Sequence, residues 1–150
     1  MTRTAALLAA ALLAGGCSLG GGGSGEALSK SEYRARADGI CAEYERRLDA
    51  LPRPGSIADL APLARKALPI AREGVRKLRE LRPPAELAPG VRRWLARNDA
   101  NVANIERLGA AAASGDTTRV QEIASAAKEN EREADALARS LGLHACAQES

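Results

Sequence analysis

The chain has 150 residues and a mass of 15.6 kDa, which holds one domain of ordinary size and excludes two full domains joined by a linker. Apolar residues make up 45% and charged residues 27%, a composition that folds, yet aromatics are only 2% and Phe is absent, which argues against the flat-walled pockets of most large cofactors. Lys and Arg number 22 against 19 Asp and Glu, giving a formal charge of +3 and a pI near 9.0; acids are interleaved with bases and aromatics are not, so nucleic-acid binding is not expected.

Arg3 precedes an apolar run from Ala5 to Ala14 and then small residues up to Cys17, the three-part layout of an export signal over residues 1–16. The run is too short for a permanent membrane-spanning helix, which takes roughly 20 apolar residues. Its end, Leu13-Ala14-Gly15-Gly16-Cys17, resembles a bacterial lipoprotein lipobox, with Ala14 standing where Leu is commonest. The resemblance implies cleavage after Gly16 and a diacylglyceryl group on the Cys17 thiol; the alternative is a plain secretory signal with a stray cysteine. Cysteine arithmetic points toward lipidation, because three cysteines in an exported chain leave one over after any pair forms. Two or three acyl chains, each contributing about 0.8 kcal/mol per buried methylene, hold a protein stably at a membrane. Residues 17–28 then supply the lipidated cysteine and a flexible Gly/Ser tether, whose glycine-rich part, Ser18 to Gly25, reaches about 16 Å. The expected location is the outward face of the cell membrane.

From Ser29 to Ser150 the pattern is helical, without alternating β-branched runs, and the expected fold is an all-α, up-down-up-down four-helix bundle. Ser29-Lys30-Ser31-Glu32 forms a capping box, after which Tyr33, Ala37, Ile40, Cys41, Tyr44, Leu48 and Leu51 make the apolar line of a first helix that Pro52 and Pro54 end. A second helix spans about Ser56 to Leu81; Pro62 falls in its first turns, whereas Pro69 should kink or divide it. Pro84 suits the first residue of a third helix, with Pro89-Gly90 making a short turn before the main run from Val91 to Ala113. Asp116 caps a fourth helix ending at Leu141, where Gly142 takes the left-handed position and Leu143 folds back.

The Ser114-Gly115 connection forces an antiparallel hairpin, in which positions whose numbers sum to about 228 lie level. Val91 then meets Leu137, Trp94 meets Ala134, Ile105 meets Ile123 and Leu108 meets Val120. The seam of the fourth helix carries one polar step, Asn130, and the same sum places Asn98 opposite, a pair that would lock the register unless both turn outward to water. Since the first and last helices neighbour each other in such a bundle, Cys41 and Cys146 are expected to form a disulfide.

Signals for chemistry are few. The one histidine, His144, lies two residues from Cys146 without the further ligands a metal site needs, and no haem attachment, nucleophile-elbow or di-iron motif occurs, so no cofactor, no metal and no enzyme are expected. Basic clusters at Arg34/Arg36, Arg46/Arg47, Arg76/Lys77/Arg79/Arg82 and Arg92/Arg93/Arg97 could meet anionic lipid, an acidic wall polymer or another envelope protein, but interleaved acids favour an ordinary solvated face. The leading functional expectation is a non-catalytic interaction domain using a helix groove. The alternative is a small-molecule or metal carrier with a cavity between helices near Tyr33, Tyr44, Asn101 and Asn104.

Ala37-Asp38-Gly39-Ile40-Cys41, Leu81-Arg82-Pro83-Pro84, Ser114-Gly115-Asp116 and Leu141-Gly142-Leu143-His144-Ala145-Cys146 together resemble a group of uncharacterised secreted or lipid-anchored helical proteins of GC-rich actinobacteria. The resemblance covers about Ser29 to Cys146 and implies fold and address, not an activity.

Overall fold

A computed structural model describes residues 26–147. The expected signal, Cys17 and the tether glycines lie outside the described residues. These residues form helices α1 (Lys30–Asp49), α2 (Leu60–Glu80), α3 (Ala88–Ala113) and α4 (Thr117–Leu141), with a short 3-10 turn at Ile57–Asp59 ahead of α2 and no strand. Cross-helix contacts fix the topology. Arg47 meets Glu73 and Lys77 meets Glu43, so α1 and α2 are antiparallel; Arg72–Glu106 and Arg79–Asp99 do the same for α2 and α3, and Arg97–Glu133 for α3 and α4. The domain is the up-down-up-down bundle expected from the apolar pattern.

The caps act as the residue types dictate. The Glu32 amide donates to Ser29 Oγ at 3.3 Å and the Ser29 amide donates to Glu32 Oε2 at 3.0 Å, closing a reciprocal box that satisfies two otherwise orphaned amides. Asp116 Oδ1 accepts from the Arg119 amide at 2.9 Å at the start of α4. At its end Gly142 adopts φ +74°, and the Leu143 amide donates to the Ala138 carbonyl at 2.9 Å. That turn requires glycine twice over, since a Cβ there would also lie 2.8 Å from Arg34 Nε. It drives Leu143, fully buried, into the core. Arg34 Nε donates to the last helical carbonyl, Leu141, at 2.8 Å.

Three boundaries differ from expectation. The second helix proper begins at Leu60, because the Asp59 carboxylate accepts from the amides of Gly55 and Ser56 and from Ser56 Oγ, winding a separate tight turn. Pro69 does not divide α2, which runs unbroken through it. Both Pro69 and Arg65, the residue whose carbonyl loses its amide partner, face water, so solvent replaces the missing hydrogen bond. The third helix starts at Ala88 after a turn in which the amides of Leu87 and Ala88 donate to the Pro84 carbonyl, so Pro84 precedes the helix while Pro89 occupies its first turn. Leu28, read from sequence as tether, belongs to the folded unit: its amide donates to the Arg82 carbonyl at 3.0 Å and its side chain packs on the core.

The apolar interior divides into two clusters. One joins Tyr33, Ala37, Leu78, Val91, Trp94, Ala138, Leu141 and Leu143, where the start of α1 meets the end of α4. The other joins Ala61, Ala111, Ala112, Val120 and Ile123 around the α3–α4 connection. Both satisfy the expected seam at the level of helix faces. The polar step does not pair as expected. Asn98 Nδ2 donates to the Trp94 carbonyl of its own helix at 2.9 Å, while Asn130 Nδ2 donates to Asn101 Oδ1 at 2.6 Å and to the Arg97 carbonyl at 2.8 Å. Side chains lean toward the N-terminus of their helix. In an antiparallel pair, that carries Asn130 one turn toward the hairpin connection, where Asn101 stands. Asn130→Ala is therefore expected to cost about 1–2 kcal/mol by leaving Asn101 Oδ1 unpaired and removing the second bond to the Arg97 carbonyl, whereas the double variant Asn101→Leu/Asn130→Leu should be close to neutral; urea unfolding measures both.

Candidate ligand cavity

Two features leave space inside the bundle between its apolar ends. Several inward positions are small, with Ala71 on α2 and Ala127 and Ala134 on α4, where Leu or Ile would fill the centre. In addition, α1 packs on α2 and scarcely touches α4. The result is a cavity of about 370 Å³ reached by side chains of all four helices.

Its floor is apolar, with Val75, Leu78, Val102, Ile105 and Leu108 from α2 and α3, and Trp94 lines one end. Asn98, Asn101 and Asn104 add amide groups from α3. Asn104 is buried and its Oδ1 accepts from Arg107 one turn along. The disulfide joining Cys41 to Cys146 (Cα–Cα 5.1 Å) forms part of the wall, and it fastens α1 to the segment beyond α4. The Ala145 amide, donating to Asp38 Oδ1 at 2.9 Å, holds the same segment.

The walls nearest the gap between α1 and α4 are acidic. Glu45 and Asp49 stand one turn apart on α1, and Glu131 and Asp135 stand one turn apart on α4. Asp135 is 8% exposed, which is unusual for a carboxylate. Among the described residues the lining holds no Lys, Arg or His. Burial, followed by the charge of Asp135, raises the pKa of Glu131 above its ordinary value.

That shift fixes the sign of a pH effect. A carboxyl whose pKa is higher in the folded chain favours folding most when protonated, and the advantage disappears as pH rises through its folded value. Glu131→Gln is accordingly expected to stabilise the protein at pH 7 and to change nothing well below pH 4.5, its unperturbed value; thermal unfolding at the two pH values checks this.

Of the residues the sequence suggested for a cavity, Tyr44, Asn101 and Asn104 line it. Tyr33 does not. It is fully buried in the core cluster at the end of the bundle, and desolvation pushes its phenol up to about 12. The Tyr33 hydroxyl is buried without a hydrogen-bond partner, whereas the Tyr44 hydroxyl is turned toward Glu73 and Lys77 and holds the Glu73 carboxyl below its ordinary value. Tyr44 lies against Gly74, where even a Cβ would come within 3.0 Å of its Cγ. The Arg47 guanidinium and the Lys77 ammonium sit 4.7 and 5.4 Å from the Tyr44 ring centroid. Both cations are paired, Arg47 with Glu73 at 3.0 Å and Lys77 with Glu43 at 3.9 Å.

Glu45, Asp49 and Glu131 are exposed, as sequence reasoning expects of charged side chains, whereas the burial of Asp135 was missed. Its signal is positional: Asp135 stands beside the seam residue Ala134. His144 is exposed, and among the described residues no group of three His, Cys, Asp or Glu converges as a metal site would require. No described helix is long and apolar enough to cross a membrane. Compared with protein-family models, curated proteins and solved structures, the chain matches none.

Proposed function

We propose that this protein is an exported, membrane-tethered, non-catalytic carrier, held at the outer face of the membrane by lipid on Cys17 and binding a small molecule between its helices. The cavity carries this reading. Its volume of about 370 Å³ is within the range of pockets that enclose small ligands, and it combines an apolar floor with a few polar groups, as such pockets do.

A helix groove that docks a partner protein has less support. Among the described residues, the large apolar side chain left exposed is Ile57, at 36%, in the 3-10 turn ahead of α2. Several arginines of the basic clusters are engaged in ion pairs, including Arg47, Arg76, Arg79 and Arg97, in keeping with a solvated face.

Two experiments test the proposal. Thermal unfolding of the full chain against a panel of small molecules should reveal a stabilising ligand, since one present at 100 times its Kd adds about 2.7 kcal/mol. A panel spanning cationic, neutral and anionic compounds that shifts nothing would contradict the carrier reading. Incorporation of a palmitate analogue in cells should depend on Cys17, and an unlabelled parent protein would contradict the anchor.

A further inference from the structure

We propose that the end of the bundle where α1 begins is a contact surface for anionic phospholipid headgroups, so that the tethered domain rests this end on the membrane. The inference deepens the anchor part of the functional reading and rests on it for where the domain is held.

The up-down-up-down topology gathers the start of α1, the connection from α2 to α3 and the close of α4 at one end. There the Leu28 amide donates to the Arg82 carbonyl, Lys30 pairs with Glu86 at 3.3 Å, and Arg34 Nε donates to the Leu141 carbonyl. Residues 26–36, 81–93 and 136–147, which make up this end, carry seven Lys and Arg against three acids, Glu26, Glu32 and Glu86. The other described residues carry fourteen bases against fifteen acids. The positive charge of the chain is therefore gathered at one end, and the remainder is close to neutral.

Neighbouring acids do not cancel this charge. The basic residues in the last turns of α2 are already matched, Arg76 by Glu80, Lys77 by Glu43 and Arg79 by Asp99. Arg92, Arg93 and Arg139 are exposed and, among the described residues, make no ion pair. A guanidinium presents forked donors that fit a phosphate, and each cation close to an anionic leaflet strengthens binding roughly fivefold.

The position of the tether selects lipid over other polyanions. Leu28, where the fold begins, stands eleven residues after Cys17, and a coil of that length reaches about 18 Å. Helix α1, at 20 residues, is about 30 Å long, so the opposite end lies beyond that reach. Since the screening length in physiological salt is about 8 Å, the end that feels the leaflet is the basic one. A wall polymer gains nothing from the tether.

The test uses the chain processed to residue 17, with Cys17→Ser so that no acyl group contributes, floated with vesicles at low salt. It is expected to bind vesicles of equal parts phosphatidylglycerol and phosphatidylcholine, to ignore pure phosphatidylcholine, and to release as salt rises. Arg92→Gln/Arg93→Gln/Arg139→Gln should weaken that binding at least about tenfold. Arg53→Gln/Arg65→Gln/Lys66→Gln removes the same charge from exposed positions at the opposite end and should weaken it less than about twofold. Equal binding to both kinds of vesicle, no binding to either, or equal losses in the two variants would overturn the proposal. Tighter binding to soluble poly(glycerol phosphate), matched in phosphate, would also overturn it and assign the surface to a wall polymer. Failure here leaves the anchor standing, because palmitate incorporation at Cys17 is read in the parent protein and can fail by itself.

Discussion

Replacing Cys41 and Cys146 together by serine is expected to lower the stability of the domain by about 4 to 5 kcal/mol. The two residues are 105 apart in sequence, and closing a loop of that length raises the free energy of the unfolded ensemble by about that much in the chain-entropy model. The effect is large here because α1 has few other ties to the far side of the bundle. It packs on α2, it scarcely touches α4, and beyond the disulfide it is held across that gap by the Arg34 bond to the Leu141 carbonyl, the Asp38 bond to the Ala145 amide and the Tyr33 cluster. The melting temperature should fall by roughly 10–20 °C. Reducing the parent protein should reproduce the loss, and a parent whose unfolding is indifferent to reductant would show that the bond is not made. Because both cysteines line the cavity, the variant should also bind its ligand more weakly.

The second large effect is expected at Trp94. Truncation to Ala should cost about 3–5 kcal/mol, the range for a fully buried large aromatic. The side chain is 1% exposed and belongs to the cluster that joins Tyr33 and Ala37 of α1 to Ala138 and Leu141 of α4. In a chain with 2% aromatics, little else of comparable area is available to close the space. Since the substitution removes the one tryptophan, circular dichroism during urea unfolding is the suitable measurement. A loss below 1 kcal/mol would mean that the surrounding side chains collapse into the gap and that the cavity is not held open by rigid walls.

Local rules made the helices legible. The Ser29 box, the Asp116 cap and the Gly142 turn follow from residue type and spacing, and they appear where those rules put them. The hairpin of α3 and α4 was legible because its connection is short enough to leave one register. What the sequence concealed depends on distances between helices. Asn130 was matched to Asn98 by counting along the axes, but the lean of each side chain along its own helix moves the partner to Asn101. Pro69 was expected to kink or divide α2; it does not divide it, and the exposed position of Pro69 and Arg65 leaves the orphaned carbonyl open to solvent.

The cavity was legible only in part. Tyr44, Asn101 and Asn104 could be grouped from their helical spacing, but Tyr33, on the same helical line as Tyr44, enters the core at the end of the bundle where α1 and α4 meet. Glu45, Asp49 and Glu131 are exposed at the cavity edge, but Asp135, beside the seam residue Ala134, is buried, which its type does not announce. Ala71, Ala127 and Ala134 look like an ordinary small-residue seam, and only the packing of the helices shows that they line one cavity.

Proton–nitrogen correlation NMR of the oxidised full chain, during titration with a compound that raises its melting temperature, tests the carrier reading most directly, because it locates the ligand as well as detecting it. The account predicts saturable shifts at the backbone amides of Tyr44, Asn101, Glu131 and Asp135, with the outer faces of the helices unmoved. Shifts scattered over the outer faces, or none at saturating ligand, would contradict it.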